Sequence, residues 1–528
     1  MRNTVTTITP DDLRYPDFVR GVNQRHVGAP RAIYVPDGSA DLARLIEQLV
    51  DDEARFVVRS SGHCLEDFVY NEDVEAVIDL AQFNYVRFDP RIGAFEVGTA
   101  TPLLQLYEEL YRRWGVTYPG GICYSVTPGG HITGGGWGML CRQMGLTIDH
   151  VCQIEVIWID ERGRSQRTLA TNDPTHPHYD LWWAHMGGGG GTFGVVTRFW
   201  LRQPQAHRGT APSQCLPQPP SHVLLSAISF PWEDIGPERF SQVLNAYTDY
   251  FAEHSDPSDP RCKLASFMVL THQSAGALAL VTQVDASDSA EAESMLEEYL
   301  TRFTDVLGEG QSLDRPVGEF QEFQKLAHLD TAPRLPWLEA TKKLATTNSN
   351  LTDPSYRQVY KSAYMKTNFT PEQISSLYSS LTAPTHVPGA SITLSSYGGQ
   401  VNTIPPEATA YPHRSSTYKM MWMSLWTESD KDEAYLAWNR ECYESLFVAT
   451  GGAPVPDGRS DGCYVNYPDR DLANPDRNQS QWSWAELYWK GNYPQLQAIK
   501  RRYDPLEVFR HRQSVRPGPS GDCPDGDA

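Results

Sequence analysis

The chain has 528 residues, of which 40% are hydrophobic, 11% aromatic and 21% charged, the proportions of a soluble globular protein with room for two domains or one elaborated α/β domain. Lys plus Arg 45 against Asp plus Glu 65 gives a formal charge of −20, which repels phosphate backbones and anionic lipid, so neither nucleic acid nor a membrane is an expected partner. The N-terminus lacks the apolar core of a secretory signal, no apolar run could span a bilayer, and nine scattered cysteines form no CxxC pair, so a cytoplasmic protein with no metal and no disulfide scaffold is expected.

Along the first two hundred residues strand-like and helix-like segments alternate. RFVVRS, VEAVIDL and GAFEVGTA read as buried strands, and Thr101-Pro102 then offers a helix cap and a first-turn proline. Leu103, Leu104, Tyr107, Leu110 and Trp114 follow at helical spacing. CQIEVIWIDERGRSQRTLA predicts two strands around a turn, and GGGGGTFGVVTRFWLR a glycine loop entering another strand. From about residue 204 a proline-rich polar stretch marks a boundary. Beyond it, Ala292, Met295, Leu296, Tyr299 and Phe303 share one face of a helix over 289–303, and LALVTQV and KMMWMSLW read as strands. YPQLQAIKRRYDPLEVF predicts a short helix ended by Pro505, and a disordered tail is expected over 518–528.

Glycine clusters mark places where backbone must approach something closely. This chain has four: Gly62, Gly120-Gly121, Gly129-Gly130 with Gly134 to Gly136, and Gly187 to Gly191. None is a phosphate loop ending in Gly-Lys-Ser/Thr, and none is the Gly-x-Gly-x-x-Gly of a nicotinamide site, which leaves a large flat cofactor cradled by several loops. Taken alone, His63 behind its serine-glycine loop is open to four readings: a ligand, a base, a covalent anchor or a turn residue.

Five stretches in order, Arg59-Ser60-Ser61-Gly62-His63, Gly120-Gly121-Ile122-Cys123, GGHITGGGWGML, GGGGTFGVVT and YVNYPDRDL, resemble the signatures of berberine-bridge-enzyme-like FAD-linked oxidases of the vanillyl-alcohol-oxidase superfamily. The resemblance is strongest over 30–200 and 461–510. It implies an α/β (α+β) fold, with a two-part FAD-binding domain over 1–204 and 461–517 and an inserted substrate domain over 205–460, built on an antiparallel sheet covered by helices. It also implies FAD bonded to His63 and to Cys123. The benzenoid edge of the isoalloxazine is electrophilic, and imidazole and thiolate are nucleophiles that attack it. In this family two such bonds raise the flavin's reduction potential and permit an open site for bulky substrates. The flavin-facing loops by resemblance include Gly129, Gly130, His131, Gly134, Gly135, Gly194, Val196 and Asn466, with Val126 at the position where a small side chain admits dioxygen.

In the family a tyrosine on a C-terminal strand takes the substrate's hydroxyl proton, and Tyr464 and Tyr467 both match that strand. Many bacterial relatives carry a second tyrosine where this chain has Trp137; indole cannot act as a base, so one base is expected and Trp137 becomes a candidate pocket wall with Tyr418 and Trp422. Ser61 stands where glycine is commoner in the family. The leading expectation is an oxidase acting on an alcohol or hemiacetal carbon of a sugar or glycosylated secondary metabolite, reducing dioxygen to hydrogen peroxide. The alternatives are an oxidative cyclase acting on an amine, which needs a carboxylate base that STYKMMWMSLW does not offer, and a flavin-holding protein without turnover.

Overall fold

In the computed structural model, which describes residues 5–313, 326, 328–347, 353 and 355–518, the apolar runs near the N-terminus pair as a mostly parallel sheet. Its order is β1 (Val5–Ile8), β2 (Ala32–Pro36), β4 (Ala76–Asp79), β3 (Phe56–Arg59), with only β1 antiparallel. Helix α1 (Ser39–Asp51) packs on it through Leu42, Leu45, Ile46 and Leu49. A five-stranded antiparallel sheet follows in the order β5 (Val86–Asp89), β6 (Ala94–Gly98), β9 (Val195–Leu201), β7 (Val151–Ile159), β8 (Ser165–Thr171). Helix α2 (Leu103–Trp114) buries Leu103, Leu106, Tyr107 and Leu110. Its cap differs from expectation: Pro102 occupies the N-cap position, and the Thr101 hydroxyl bonds back to the Tyr85 backbone instead. The tight glycine stretch that follows contains α3 (Pro128–Thr133) and α4 (Cys141–Met144), and α5 (Tyr179–His185) precedes β9.

The middle of the chain makes an eight-stranded antiparallel sheet in the order β13 (Gln311–Ser312), β10 (His222–Pro231), β12 (Ala277–Asp285), β11 (Leu264–Thr271), β16 (Ala390–Ser396), β17 (Tyr418–Trp426), β15 (Arg357–Met365), with β14 (Arg334–Pro336) beside β10. Helices α6 (Pro237–Glu253), α7 (Ser289–Leu307), α9 (Pro371–Thr382) and α10 (Asp432–Leu446) form a layer over one face, and α8 (Trp337–Thr347) packs between β10 and α2. The buried stripe of α7 is Ala292, Met295, Leu296, Tyr299 and Phe303, as the 3.6-residue period predicts, and Asp288 caps its N-terminus. On the other face of this sheet Phe267, Thr393, Ser395 and Met421 line a cleft together with the glycine loops.

Residues 461 onward cross from this sheet back to the first half. Asp461 N–H donates to Tyr364 O and Tyr364 N–H to Gly462 O, which docks the segment on the edge of β15. The expected strand YVNY is a turn, closed by the Tyr467 N–H on Tyr464 O. Helix α11 (Trp484–Trp489) packs on α12 (Tyr493–Tyr503), which lies against α5, Phe509 packs edge-on to Phe56 with centroids 5.8 Å apart, and the Lys500 ammonium donates to Thr192 O at 2.6 Å. The expected disordered tail lies, apart from Gly518, outside the described residues. Among the described residues no helix is long and apolar enough to cross a membrane.

Lys361 of β15 holds the crossing segment in place. Its buried ammonium lies 2.8 Å from both Asp469 and Asp471, and Arg440 of α10 grips Asp471 at 2.8 Å. Burial disfavours the lysine's charge, but the two carboxylates outweigh it and hold the group protonated above its ordinary range. Lys361→Met leaves the buried Asp469 carboxylate without its cation, while Asp471 keeps Arg440, so unfolding stability is expected to drop by about 3–5 kcal/mol. Denaturant titration of the full chain checks this; a loss under about 1 kcal/mol would show that the bridge contributes no more than a surface pair.

Candidate active site

Where the uncovered sheet face meets the glycine loops there is a deep cleft, walled by backbone on one side and by aromatic and aliphatic side chains on the other. Arg59, the last residue of β3, is fixed by Asp79 at 3.2 Å and donates to the Tyr70 hydroxyl at 2.7 Å, so it aims the following loop into the cleft. Gly62 turns that loop with φ +78°, a conformation costly for any residue with a Cβ, and its carbonyl accepts the Val22 N–H. His63 Nε2 then lies 2.8 Å from Ser125 Oγ, and Cys123 Sγ lies 4.0 Å from the same hydroxyl. The two candidate anchors, from loops far apart in sequence, converge on one serine. The Thr127 hydroxyl, at the start of α3, lies 3.0 Å from that of Ser60 and 3.2 Å from that of Ser61, tying the two loops together.

Gly121, Val126, Gly129, Gly130, His131, Trp137, Gly194, Val196, Tyr464, Asn466 and Tyr467 all line the cleft. Gly120, Gly134 and Gly135 do not. A Cβ at Gly120 would come within 2.8 Å of the Tyr107 and Tyr118 hydroxyls, one at Gly134 would run into the Asn466 amide, and one at Gly135 would strike the Tyr411 ring at 2.6 Å. These three glycines let protein pack against protein. Tyr418 and Trp422, expected in the pocket wall, face the helix layer: Tyr418 packs against Tyr247 of α6, and Trp422 against Tyr443 of α10 and Phe447. Their odd-numbered neighbours on β17, Lys419 and Met421, take the cleft side, because successive strand residues point to opposite faces.

Lys419 and Ser125 are the main residues that sequence reasoning passed over. The ammonium of Lys419 is buried 3.3 Å from the centroid of the Trp137 indole, 4.6 Å from the Tyr467 ring and 4.9 Å from the Tyr464 ring. A lysine inside the apolar run KMMWMSLW was the available signal, since lysine is almost never fully buried without a reason. The Tyr464 oxygen accepts N–H bonds from Gly136 at 3.2 Å and from Asn466 Nδ2 at 3.1 Å. Burial pushes its phenol well above the ordinary value despite those two donors. Tyr467 is less buried and stands edge-on to Tyr464, centroids 5.1 Å apart. His131 Nε2 accepts the Gly121 N–H at 3.1 Å, which places its proton on Nδ1. Loss of water, with Arg59 nearby, lowers His63 to about 4, and loss of water with Lys419 does the same for His131. Both imidazoles are neutral near pH 7, and a neutral imidazole is the nucleophilic form.

The cleft suits a flat, diphosphate-bearing cofactor. A Cβ on Gly130 would meet nothing within 4 Å, so its backbone is bare to the cavity, and the buried Thr99 hydroxyl on the same wall has no partner. Among the described residues lining the cleft there is no aspartate or glutamate. No group of three or more His, Cys, Asp or Glu among the described residues is arranged to hold a metal ion.

Two family descriptions match the chain: an FAD-binding domain over residues 30–168, and berberine and berberine-like proteins over residues 463–516. Over 98% of its length the chain is 39% identical to the aclacinomycin-N/aclacinomycin-A oxidase of Streptomyces galilaeus, covering 90% of that protein. It is 30% identical to the hexose oxidase of Chondrus crispus, over 96% of this chain and 94% of that one. Among solved structures, the glycopeptide hexose oxidase complexed with teicoplanin superposes with a TM-score of 0.88 at 34% identity, covering 97% of this chain and 99% of its own.

Buried neutral histidines set an acid limit. Burial lowers His26 and His511 to about 3, and His63, His131 and His185 to about 4. Between those values and the unfolded value near 6.5 the unfolded chain binds protons that the folded chain refuses, so stability is full above pH 6.5 and falls as pH drops toward 4. Glu66, which burial pushes up to about 7, acts in the opposite sense, as do the buried carboxyls of Asp79, Asp469 and Asp504, which burial also raises. Thermal unfolding between pH 7 and 4.5 is expected to show a falling midpoint, with net uptake of more than one proton on unfolding; a flat or rising profile would contradict this.

Proposed function

Because the chain belongs to the berberine-bridge-enzyme-like family of FAD-linked oxidoreductases, we propose that it oxidises an alcohol or hemiacetal carbon of a sugar or sugar-bearing natural product, with dioxygen reduced to hydrogen peroxide. The observation that carries this reading is the Tyr467–Lys419–Tyr464 cluster on a cleft wall without carboxylates. Bound FAD supplies the two-electron acceptor, which no side chain here could provide. The chain's own residues do the rest.

His63 and Cys123 are the covalent anchors in this reading. Neutral imidazole and a cysteine beside a shared hydroxyl are a donor set for two bonds to one electrophilic ring edge. Gly121, Gly129, Gly130, Gly194 and Val126 line the cleft and would hold the ring and its phosphates, with Gly130 leaving its backbone bare to the cavity.

Tyr467 is the base. A base must reach the hydroxyl it deprotonates, and of the two tyrosines Tyr467 is the more open to the cleft, whereas the Tyr464 oxygen is held by two N–H donors. The Lys419 charge, 4.6 Å from the Tyr467 ring, stabilises the anion left when the phenol gives up its proton. Tyr464 is a positioning residue that packs the base edge-on. Trp137, pinned under Lys419, walls the pocket.

The relatives' names, an oxidase of aclacinomycins, a hexose oxidase and a glycopeptide hexose oxidase, support a sugar or glycoside as substrate. Amine oxidation fits less well, since a cationic amine would meet Arg59 and Arg510, with Lys419 behind Trp137, and among the described lining residues there is no carboxylate to receive it.

Two experiments test the reading. Acid-precipitated protein is expected to keep its yellow colour, and to keep it in His63→Ala or Cys123→Ala through the remaining bond; colour passing wholly to the supernatant from the parent protein would refute covalent attachment. Tyr467→Phe is expected to slow flavin reduction by alcohol about 100- to 10,000-fold, and Tyr464→Phe by under about 10-fold. Stopped-flow reduction of both variants decides it: the reverse order moves the base to Tyr464, and parent rates in both remove tyrosine from the proton transfer.

A further inference from the structure

The cleft-facing side of the large sheet carries a row that the proposed chemistry leaves unused. In register across the strands, Val269 of β11, Thr393 of β16 and Met421 of β17 stand side by side, and one row along are Phe267, Ser395 and Lys419. Phe267, Thr393, Ser395 and Met421 line the cleft. Thr393 is 1% exposed, and its hydroxyl has no hydrogen-bond partner.

A buried hydroxyl left unpaired costs about 1–3 kcal/mol, so its presence on a cavity wall calls for a partner from outside the chain. Its surroundings narrow the kind. The neighbours across the strands are aliphatic or thioether, Lys419 stands one row away, and no acid is among the described residues that line the cavity. An unpaired hydroxyl flanked by apolar side chains, with Ser395 one row along, fixes the orientation of a ligand whose body is apolar and whose edge carries a hydroxyl or carbonyl.

We propose that Thr393 is a specificity-determining residue: its Oγ1 hydrogen-bonds a hydroxyl on the sugar ring being oxidised, at a carbon other than the reacting one, while Phe267 and Met421 pack against the ring's C–H face. This rests on the reading of the protein as a sugar or glycoside oxidase. It adds that the site selects hydroxylated rings over deoxy ones, because a ring without that hydroxyl leaves the threonine unpaired.

The test uses the flavin-loaded full chain and its Thr393→Val and Thr393→Ser variants. The probes are D-glucose, D-galactose, lactose and aclacinomycin N, with the monodeoxy forms of whichever sugar is used best. Valine keeps the shape and removes only the hydroxyl. Thr393→Val is expected to leave the thermal midpoint unchanged or raised, since no internal bond is lost, and to lower kcat/KM at least about 10-fold on the best hydroxylated probe. One monodeoxy analogue is expected to be used equally by parent and valine variant, and serine to restore kcat/KM to within about threefold of the parent. Unchanged kcat/KM in the valine variant, an equal loss on every deoxy analogue, or a thermal midpoint lowered by several degrees overturns the proposal. If the parent protein oxidises none of the probes, the proposed function fails and the inference falls with it; if the parent is active and the valine variant equally so, only the inference fails.

Discussion

The site depends on how residues 461–471 are pinned, because that stretch brings Tyr464, Asn466 and Tyr467 from the edge of one sheet to loops that belong to another. Three aspartates hold it, Asp461 and Asp469 buried and Asp471 half-buried. Asp461 lies 2.8 Å from Lys366 and 2.5 Å from Lys490, and its carbonyl lies 2.7 Å from His413 Nδ1; Asp469 and Asp471 share Lys361. Burial works against ionising Asp461, but His413 and the two lysines outweigh it and hold the carboxyl well below the usual range. The tyrosines sit between these anchors, so their positions are set by charges several residues away. A buried network of this kind adds little net stability against an apolar equivalent, but it admits few alternative registers. A proton-transferring group needs placement to within fractions of an ångström, and that is what such a network supplies.

The cleft sorts its charges by function. On the loop side His63 and His131 are neutral because water is excluded around them, which leaves a nucleophile at one position and a proton on a defined nitrogen at the other. On the sheet side the Lys419 ammonium, stacked on Trp137, provides positive potential beside Tyr467, the proposed base. A tryptophan in place of a second phenol leaves that cation a larger π-face and leaves the site with one fewer base.

Much of this was legible in the sequence, and the failures have physical causes. The strands over 55–60, 74–80 and 93–100 and the helix stripe ending at Phe303 followed from periodicity, because each is buried on a defined face. His63 and Cys123 were singled out by the family resemblance of their loops, since His63 taken alone was open to four readings, and the structure brings both to Ser125. The phase of β17 was not readable: KMMWMSLW is apolar on both faces, so nothing in it says which residues face the cleft, and Tyr418 and Trp422 came out one residue off. Gly134 and Gly135 looked like cofactor glycines, but their neighbours, Asn466 and Tyr411, are remote in sequence. The unpaired hydroxyl of Thr393 lies in SITLSS, a stretch with no local signal, and its state depends on which strands pair beside it.

A sheet face carrying an unpaired hydroxyl, a phenol beside a buried cation and a glycine-lined cleft together suit the proposed removal of a hydride and a proton from a neutral, hydroxylated ring. The most direct measurement is anaerobic mixing of the flavin-loaded protein with hexoses and with aclacinomycin N, followed by admission of oxygen. The account predicts that one of these substrates bleaches the visible flavin absorbance, and that oxygen restores it with release of one hydrogen peroxide per flavin. A flavin that stays oxidised with every sugar and glycoside, or that once bleached is not reoxidised by oxygen, would contradict it.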